Sequence, residues 1–277
     1  MENYATMYED IVLFAYGRNK MGQLTNFTEK KILDHLLKTS SFSPPATVYL
    51  GLSTADPTHD GSGWASPTYT GYARKAITFA AAGSRAIAQT GAVTFDACSG
   101  GLSTVGWWGI WDQASGGNLL AYGTLSPSKT IVSGNTPSVA SGQVTVSFSA
   151  GVVFTGLANS ILDWLFRAQT LAQPTHVKVG LSTTTPTDGG PNITEPSGNN
   201  YSQVNFDTWN AASGNPEAAT NNGAITMPTP SGSWGLITYG VLYLDTTPAF
   251  YGTVPSQTPD NGDTVDWLTT QFSVSIQ

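Results

Sequence analysis

The sequence is poor in charge: 18 acidic and 11 basic residues among 277, 10% in all against roughly 25% in an average soluble protein. No run of Lys or Arg exceeds the pairs Lys30-Lys31 and Arg74-Lys75. Counterion release from a phosphate backbone needs a concentrated basic footprint, and with a net charge of -7 a nucleic-acid partner is not expected. A single cysteine, Cys98, excludes an intramolecular disulfide. Three histidines, with no H-E-x-x-H and no Cys/His cluster, give no transition-metal site, and no cofactor is expected. No apolar stretch approaches the length of a membrane span, so no membrane insertion is expected. The start, Met1-Glu2-Asn3-Tyr4-Ala5, has neither a basic nor an apolar leader region, and synthesis in a cytoplasm is expected.

What the chain has in abundance is glycine (30) and proline (16), punctuating short apolar runs, the composition of a turn-rich β protein with a Ser, Thr, Asn and Gln surface. It also contains itself twice. Ile32-Leu33-Asp34 returns as Ile161-Leu162-Asp163, and Gly51-Leu52-Ser53-Thr54 as Gly180-Leu181-Ser182-Thr183, both 129 residues on. Tyr72 matches Tyr201, Gly91-Ala92-Val93-Thr94 matches Gly223-Ala224-Ile225-Thr226, and Tyr122-Gly123-Thr124 matches Tyr251-Gly252-Thr253. The register drifts only in Gly, Asn and Ser-rich segments, where insertions belong.

Each copy opens on a helical pattern. In the first, Asn26 with Glu29 three residues on reads as a capping box ahead of Ile32, Leu33, Leu36 and Leu37. In the second, Thr155 is the expected cap. Short β-branched runs follow at 47–52, 73–79, 92–95, 105–111, 119–124 and 144–148, with counterparts in the second copy. The expected fold is mainly β: two tandem antiparallel β-sandwich, jelly-roll-like domains, each preceded by one α-helix. Their bounds are 24–150 and 151–277, behind an N-terminal arm, 1–23, that has no counterpart in the second copy.

Nothing in the sequence assembles a catalytic centre. A nucleophilic serine lacks its G-x-S-x-G turn. The carboxylates Asp56, Asp60, Asp96, Asp112, Asp188, Glu195, Asp207 and Asp245 mostly stand beside Gly, Pro, Ser or Thr, where an Asp caps a turn. The segment from Asp56 to Gly61 begins like a calcium loop, but its twelfth position is Pro67, which offers no side-chain oxygen.

Recognition is sought instead among aromatic residues. The arm carries Tyr4, Tyr8 and Phe14, which either pack on their own domain or dock on a neighbouring subunit. On a strand, Trp107, Gly109 and Trp111 share one face, and Trp108 and Ile110 the other. With Gly240 set against Gly109, Tyr239 and Val241 stand for Trp108 and Ile110 on the core face, and Trp107 and Trp111 give way to smaller residues. Together with Trp64, these two indoles fit the interior, a subunit contact or a sugar platform.

The run from Pro44 to Pro57, Gly71-Tyr72-Ala73-Arg74-Lys75-Ala76-Ile77-Thr78-Phe79, Trp108-Gly109-Ile110-Trp111-Asp112 and the stretch from Gly116 to Leu125 resemble a unit of tailed-bacteriophage virion proteins usually labelled tail-fibre or minor tail proteins. The resemblance covers residues 24–148 well and the second copy weakly. It implies a structural protein of the virion, assembled in the host cytoplasm, that binds other virion subunits and associates with itself. It leaves open capsid decoration or cement, a tail or neck fibre, and, as an alternative, a module that recognises a host-surface glycan. Heptads and Gly-X-Y repeats, which a long fibre shaft would show, are missing. It carries over no catalytic residue.

Overall fold

A computed structural model describes residues 10–12 (backbone only), 22–189 and 192–276. The first repeat supplies β1 (Asp10–Val12), β2 (Gln23–Leu24), α1 (Asn26–Leu36), β3 (Val48–Ser53), β4 (Lys75–Phe79), β5 (Ala86–Thr90), β6 (Val93–Thr94), β7 (Leu102–Trp111), β8 (Leu119–Val132), β9 (Thr136–Val139) and β10 (Thr145–Ser147). The second supplies α2 (Thr155–Arg167), β11 (Val177–Ser182), β12 (Val204–Asn205), β13 (Ser213–Gly214), β14 (Glu217–Thr220), β15 (Ile225–Thr226), β16 (Ile237–Leu244), β17 (Thr247–Gln257), β18 (Asp266–Trp267) and β19 (Ser273–Ser275). The fold is mainly β and, apart from β1 on β9, its ladders between named strands are antiparallel.

In the first unit one sheet runs β10-β5-β4-β3-β7-β8-β2 and a smaller one β1-β9-β6. The second has β12-β11-β16-β17, β13-β14-β19 and β15-β18. Alternation along β3 and β7 sends Leu50, Leu52, Trp108 and Ile110 into the interior, all at most 1% exposed. The ladder β3–β7 has the same register as β11–β16: Gly51 stands opposite Gly109, and Gly180, 129 residues after Gly51, opposite Val241.

Both helices are amphipathic, with Ile32, Leu33, Leu36, Leu37 and Ile161, Leu162, Leu165 fully buried. Their caps lie one residue earlier than the sequence pattern predicts. Thr25, not Asn26, is the N-cap of α1, its Oγ1 accepting from Thr28 N at 3.5 Å and donating to Leu119 O at 2.6 Å. In α2 the first helical bond runs from Ala158 N to Phe154 O, which makes Phe154 the cap position and Thr155 the first helical residue. The backbone N–H groups of Thr25 and Asn26 donate to Leu120 O and His59 O at 3.1 and 3.0 Å, and Glu29 Oε2 accepts from Glu217 N at 3.4 Å.

The compact units exchange helices. Unit 1 runs to Thr28 and adds Pro44–Ser147 and Leu162–Gln169; unit 2 is Glu29–Ser43, Phe148–Ile161 and Thr170–Gln277. Most of α1 therefore packs with the strands of the second repeat, and the last turns of α2 with those of the first. The exchange is reciprocal down to its hydrogen bonds. Asp34 Oδ1 accepts from Ala212 N at 2.8 Å within unit 2, and Asp163 Oδ1, its repeat counterpart, from Ala82 N at 2.9 Å within unit 1. Phe166 lies 5.4 Å from Phe79 in unit 1, and His35 bonds Leu171 O at 2.9 Å in unit 2.

Candidate docking surfaces

Of the residues singled out for partner contact, Tyr4, Tyr8 and Phe14 lie outside the described residues. The arm strand β1 pairs in parallel with β9, Asp10 to Thr136 through Val12 to Ser138, so this part of the arm lies on its own first unit.

The tryptophans are brought together. Trp64 and Trp111 meet edge to face at 5.0 Å, and with Tyr49, Leu119 and Tyr122 they make a second apolar cluster on the sheet face opposite the core. Gly51 and Gly109 are glycine because Trp64 lies on them: a Cβ would sit 3.1 Å and 2.5 Å from its ring. Arg74 stacks its guanidinium 3.5 Å above Trp111, donates to Gln113 O and Gly116 O at 3.0 and 2.6 Å, and has its pKa lowered by burial. Trp111 is 8% exposed, so its ring face is not free for a sugar. Trp64 and Trp107 are half-buried. Beyond Trp107 the β7–β8 ribbon places Leu102 opposite Val132, 60% and 41% exposed, as an apolar tip.

The candidate carboxylates hold loops. Asp112 Oδ1 accepts from Asn118 N at 2.6 Å, Asp245 from Thr175 N and His176 N at 3.2 and 2.9 Å, and Asp207 from Val177 N at 2.8 Å. Asp56 accepts from Thr58 N and Asp60 from Ser62 N, both at 3.0 Å; the hydroxyl of Thr58 and the Ser62 groups draw the Asp60 pKa down to about 2. Asp188 receives Gly151 N at 3.1 Å, Asp96 pairs with Lys75 at 2.7 Å, and Glu195 accepts from Gln203 and Tyr243 at 2.9 and 2.7 Å. Among the described residues no three of His, Cys, Asp and Glu converge as metal ligands would.

Along β7 and β16 the repeats align one residue away from the match of Gly109 with Gly240 that the sequence suggests. Pairing sets Trp108 opposite Leu52 and Gly240 opposite Leu181, and both ribbons shift register at the same two places. The offset here is 132, not 131. Tyr239 therefore stands for Trp107, Gly240 for Trp108, Val241 for Gly109 and Tyr243 for Trp111. Trp111 has an aromatic counterpart, 6% exposed and hydrogen-bonded to Glu195, with Ile193 packed on that cluster in the position of Trp64. The residue without a counterpart is Trp108.

Trp108 is 1% exposed and lies between two glycines. A Cβ on Gly22 would be 2.2 Å from the indole and one on Gly123 2.5 Å. Gly22 N also donates to Thr145 O at 2.8 Å, tying the entry of β2 to β10. In unit 2 the same places hold Gly151 and Gly252, and nothing lies within 4 Å of a Cβ built at either. Gly151 N turns to Asp188 and not to β19. A cavity of about 810 Å³ opens there, lined among others by Gly240, Gly252, Val254, Trp267, Phe272 and Val274.

Residues 23–147 and 153–275 each match the family model described as podophage GP4 fiber I protein gp80. No curated protein matches the chain. Among the described residues no helix is long and apolar enough to cross a membrane.

Proposed function

From a chain that belongs to the podophage fibre family, and is thereby a structural component of a phage virion, we propose a fibre-type accessory protein that acts by burying surface against other virion subunits. The observation that carries this reading is the use made of the candidate carboxylates: each is engaged in a hydrogen bond or ion pair that fixes a loop or strand. Two linked units can engage two sites at once, which raises the effective concentration of the second contact far above that of a single unit. This suits attachment to a repetitive particle, as a fibre of neck or tail or as capsid decoration, and the family description favours the fibre.

The host-glycan alternative draws less support from the geometry, because Arg74 covers the Trp111 ring and Trp64 packs against it edge to face. A phage lacking the coding sequence tests the proposal. Its particles are expected to lack discrete surface density and to lose mechanical or thermal robustness or adsorption. Wild-type particles purified free of this chain would overturn it.

A further inference from the structure

The empty indole slot in unit 2 has walls made for a ring. In unit 1, Gly22 and Gly123 leave room that Trp108 occupies; in unit 2, Gly151 and Gly252 leave the same room, and Gly240 sends nothing into it. Val254 and Phe272 approach it from the side of Gly240, 3.1 and 3.5 Å from a Cβ built there, and the room left open lies toward Gly151 and Gly252. The strand edge beside it is open as well. The register of β6 on β9, Val93 to Val139, recurs as β15 on β18, Ile225 to Trp267. The other edge of β9 carries β1, whereas among the described residues nothing pairs with the other edge of β18. Asp266 and Trp267 of β18 line the same cavity as Gly240 and Gly252. One arm serves two equivalent edges, and it lies on the first.

The geometry points to a strand-acceptor site in unit 2: an extended segment of a different virion subunit adds in parallel to the free edge of β18 and inserts an aromatic side chain between Gly151 and Gly252. Backbone pairing supplies the affinity and the glycine-walled slot the specificity, the division of labour found wherever a peptide is added to a sheet edge. A buried aromatic anchor in a preformed pocket is also the usual centre of such an interface. The identification of the partner as a virion subunit rests on the proposed function; the acceptor site itself does not.

A synthetic peptide of residues 8–16, Tyr8 to Tyr16, is a suitable probe, because it contains the strand that pairs with β9 and carries aromatic residues on both sides of it. Titrated calorimetrically into the full chain, it is expected to bind, and a scrambled peptide is not. Gly240→Trp places an indole where Trp108 stands in unit 1; its Cβ would lie 3.1 Å from Val254 and 3.5 Å from Phe272, so a modest fall in melting temperature is expected together with at least tenfold weaker binding. Gly252→Leu, whose added atoms meet no neighbour within 4 Å at Cβ, provides the same test should the tryptophan variant fail to fold. Equal binding by either folded variant, or none by the wild type, overturns the site. So does a wild-type chain that dimerises alone through this slot and is made monomeric by Gly240→Trp. In particles, Gly240→Trp is expected to lower incorporation of the chain at least tenfold. Undiminished incorporation refutes the subunit contact while leaving the fibre reading standing, whereas absence of the wild-type chain from particles refutes the fibre reading.

Discussion

Replacing Asp34 by alanine tests the helix exchange, because a side chain of the first repeat is asked to destabilise the strands of the second. Asp34 is 5% exposed, and its Oδ1 accepts from Ala212 N at 2.8 Å and from the Thr39 hydroxyl at 2.8 Å. Ala212 is fully buried, so its N–H gains no water when the carboxylate is removed. A buried donor left without an acceptor costs about 1–3 kcal/mol, with the upper end appropriate for a charged acceptor. Near 3 kcal/mol, the melting temperature should fall by about 9 °C at roughly 3 °C per kcal/mol. Asp163→Ala removes the equivalent bond to Ala82, which is only half-buried, so water replaces the acceptor and the loss should be nearer 1 kcal/mol. Hydrogen exchange read by peptide mass locates the effect. Asp34→Ala should deprotect the amides of 212–220, and Asp163→Ala those of 79–88. Deprotection in the mutated repeat's own strands would refute the exchange.

Three further outcomes follow from the geometry. His35 is held neutral, its Nδ1 accepting from Phe42 N and its Nε2–H donating to Leu171 O, and burial lowers its pKa below 6.5. The unfolded chain then binds more protons below pH 6.5, so stability is complete above that pH and declines as the pH falls through it. Urea unfolding of wild type and His35→Gln at pH 5 and 7.5 should show the wild-type difference shrinking in the variant. Gly109→Ala places a methyl 2.5 Å from Trp64 and 2.6 Å from Leu119 and should cost about 1–3 kcal/mol by overpacking, with Trp64→Ala relieving the part due to its ring in a double-mutant cycle; additive losses would contradict the contact. Arg74→Ala uncovers Trp111, which should shift tryptophan emission to the red and lower stability by about 0.5–1 kcal/mol.

The fold class was legible because both periodicities were present: apolar residues at helical spacing over Ile32–Leu37, and alternation bounded by turns in runs such as Val48–Ser53. Two things were not. An apolar stripe states that a helix is buried but not by which strands, so the exchange of α1 and α2 has no sequence signal. It is revealed by contacts in the folded chain, among them the paired bonds of Asp34 and Asp163. The partner face was displaced by a single residue, because Gly109 and Gly240 invite alignment on glycine although each is glycine for its own reason. Gly109 lies under Trp64, and Gly240 stands where Trp108 would be. A shift of one residue in a strand moves every side chain to the other face. The true offset of 132 returns to 129 because the five residues 113–117 between the paired Asp112 and Asn118 are cut to the two, Asp245-Thr246, between the paired Leu244 and Thr247. The signal that could have found the slot was the pairing of Gly22 with Gly123 and of Gly151 with Gly252, two glycines retained in each repeat around one indole.

The central claim, that this chain is a fixed external component of the particle, is tested most directly by electron microscopy of purified virions labelled with an antibody raised against the chain. Label at regular positions on intact particles is the predicted result. Unlabelled intact particles, in a lysate whose soluble fraction binds the antibody, would contradict it.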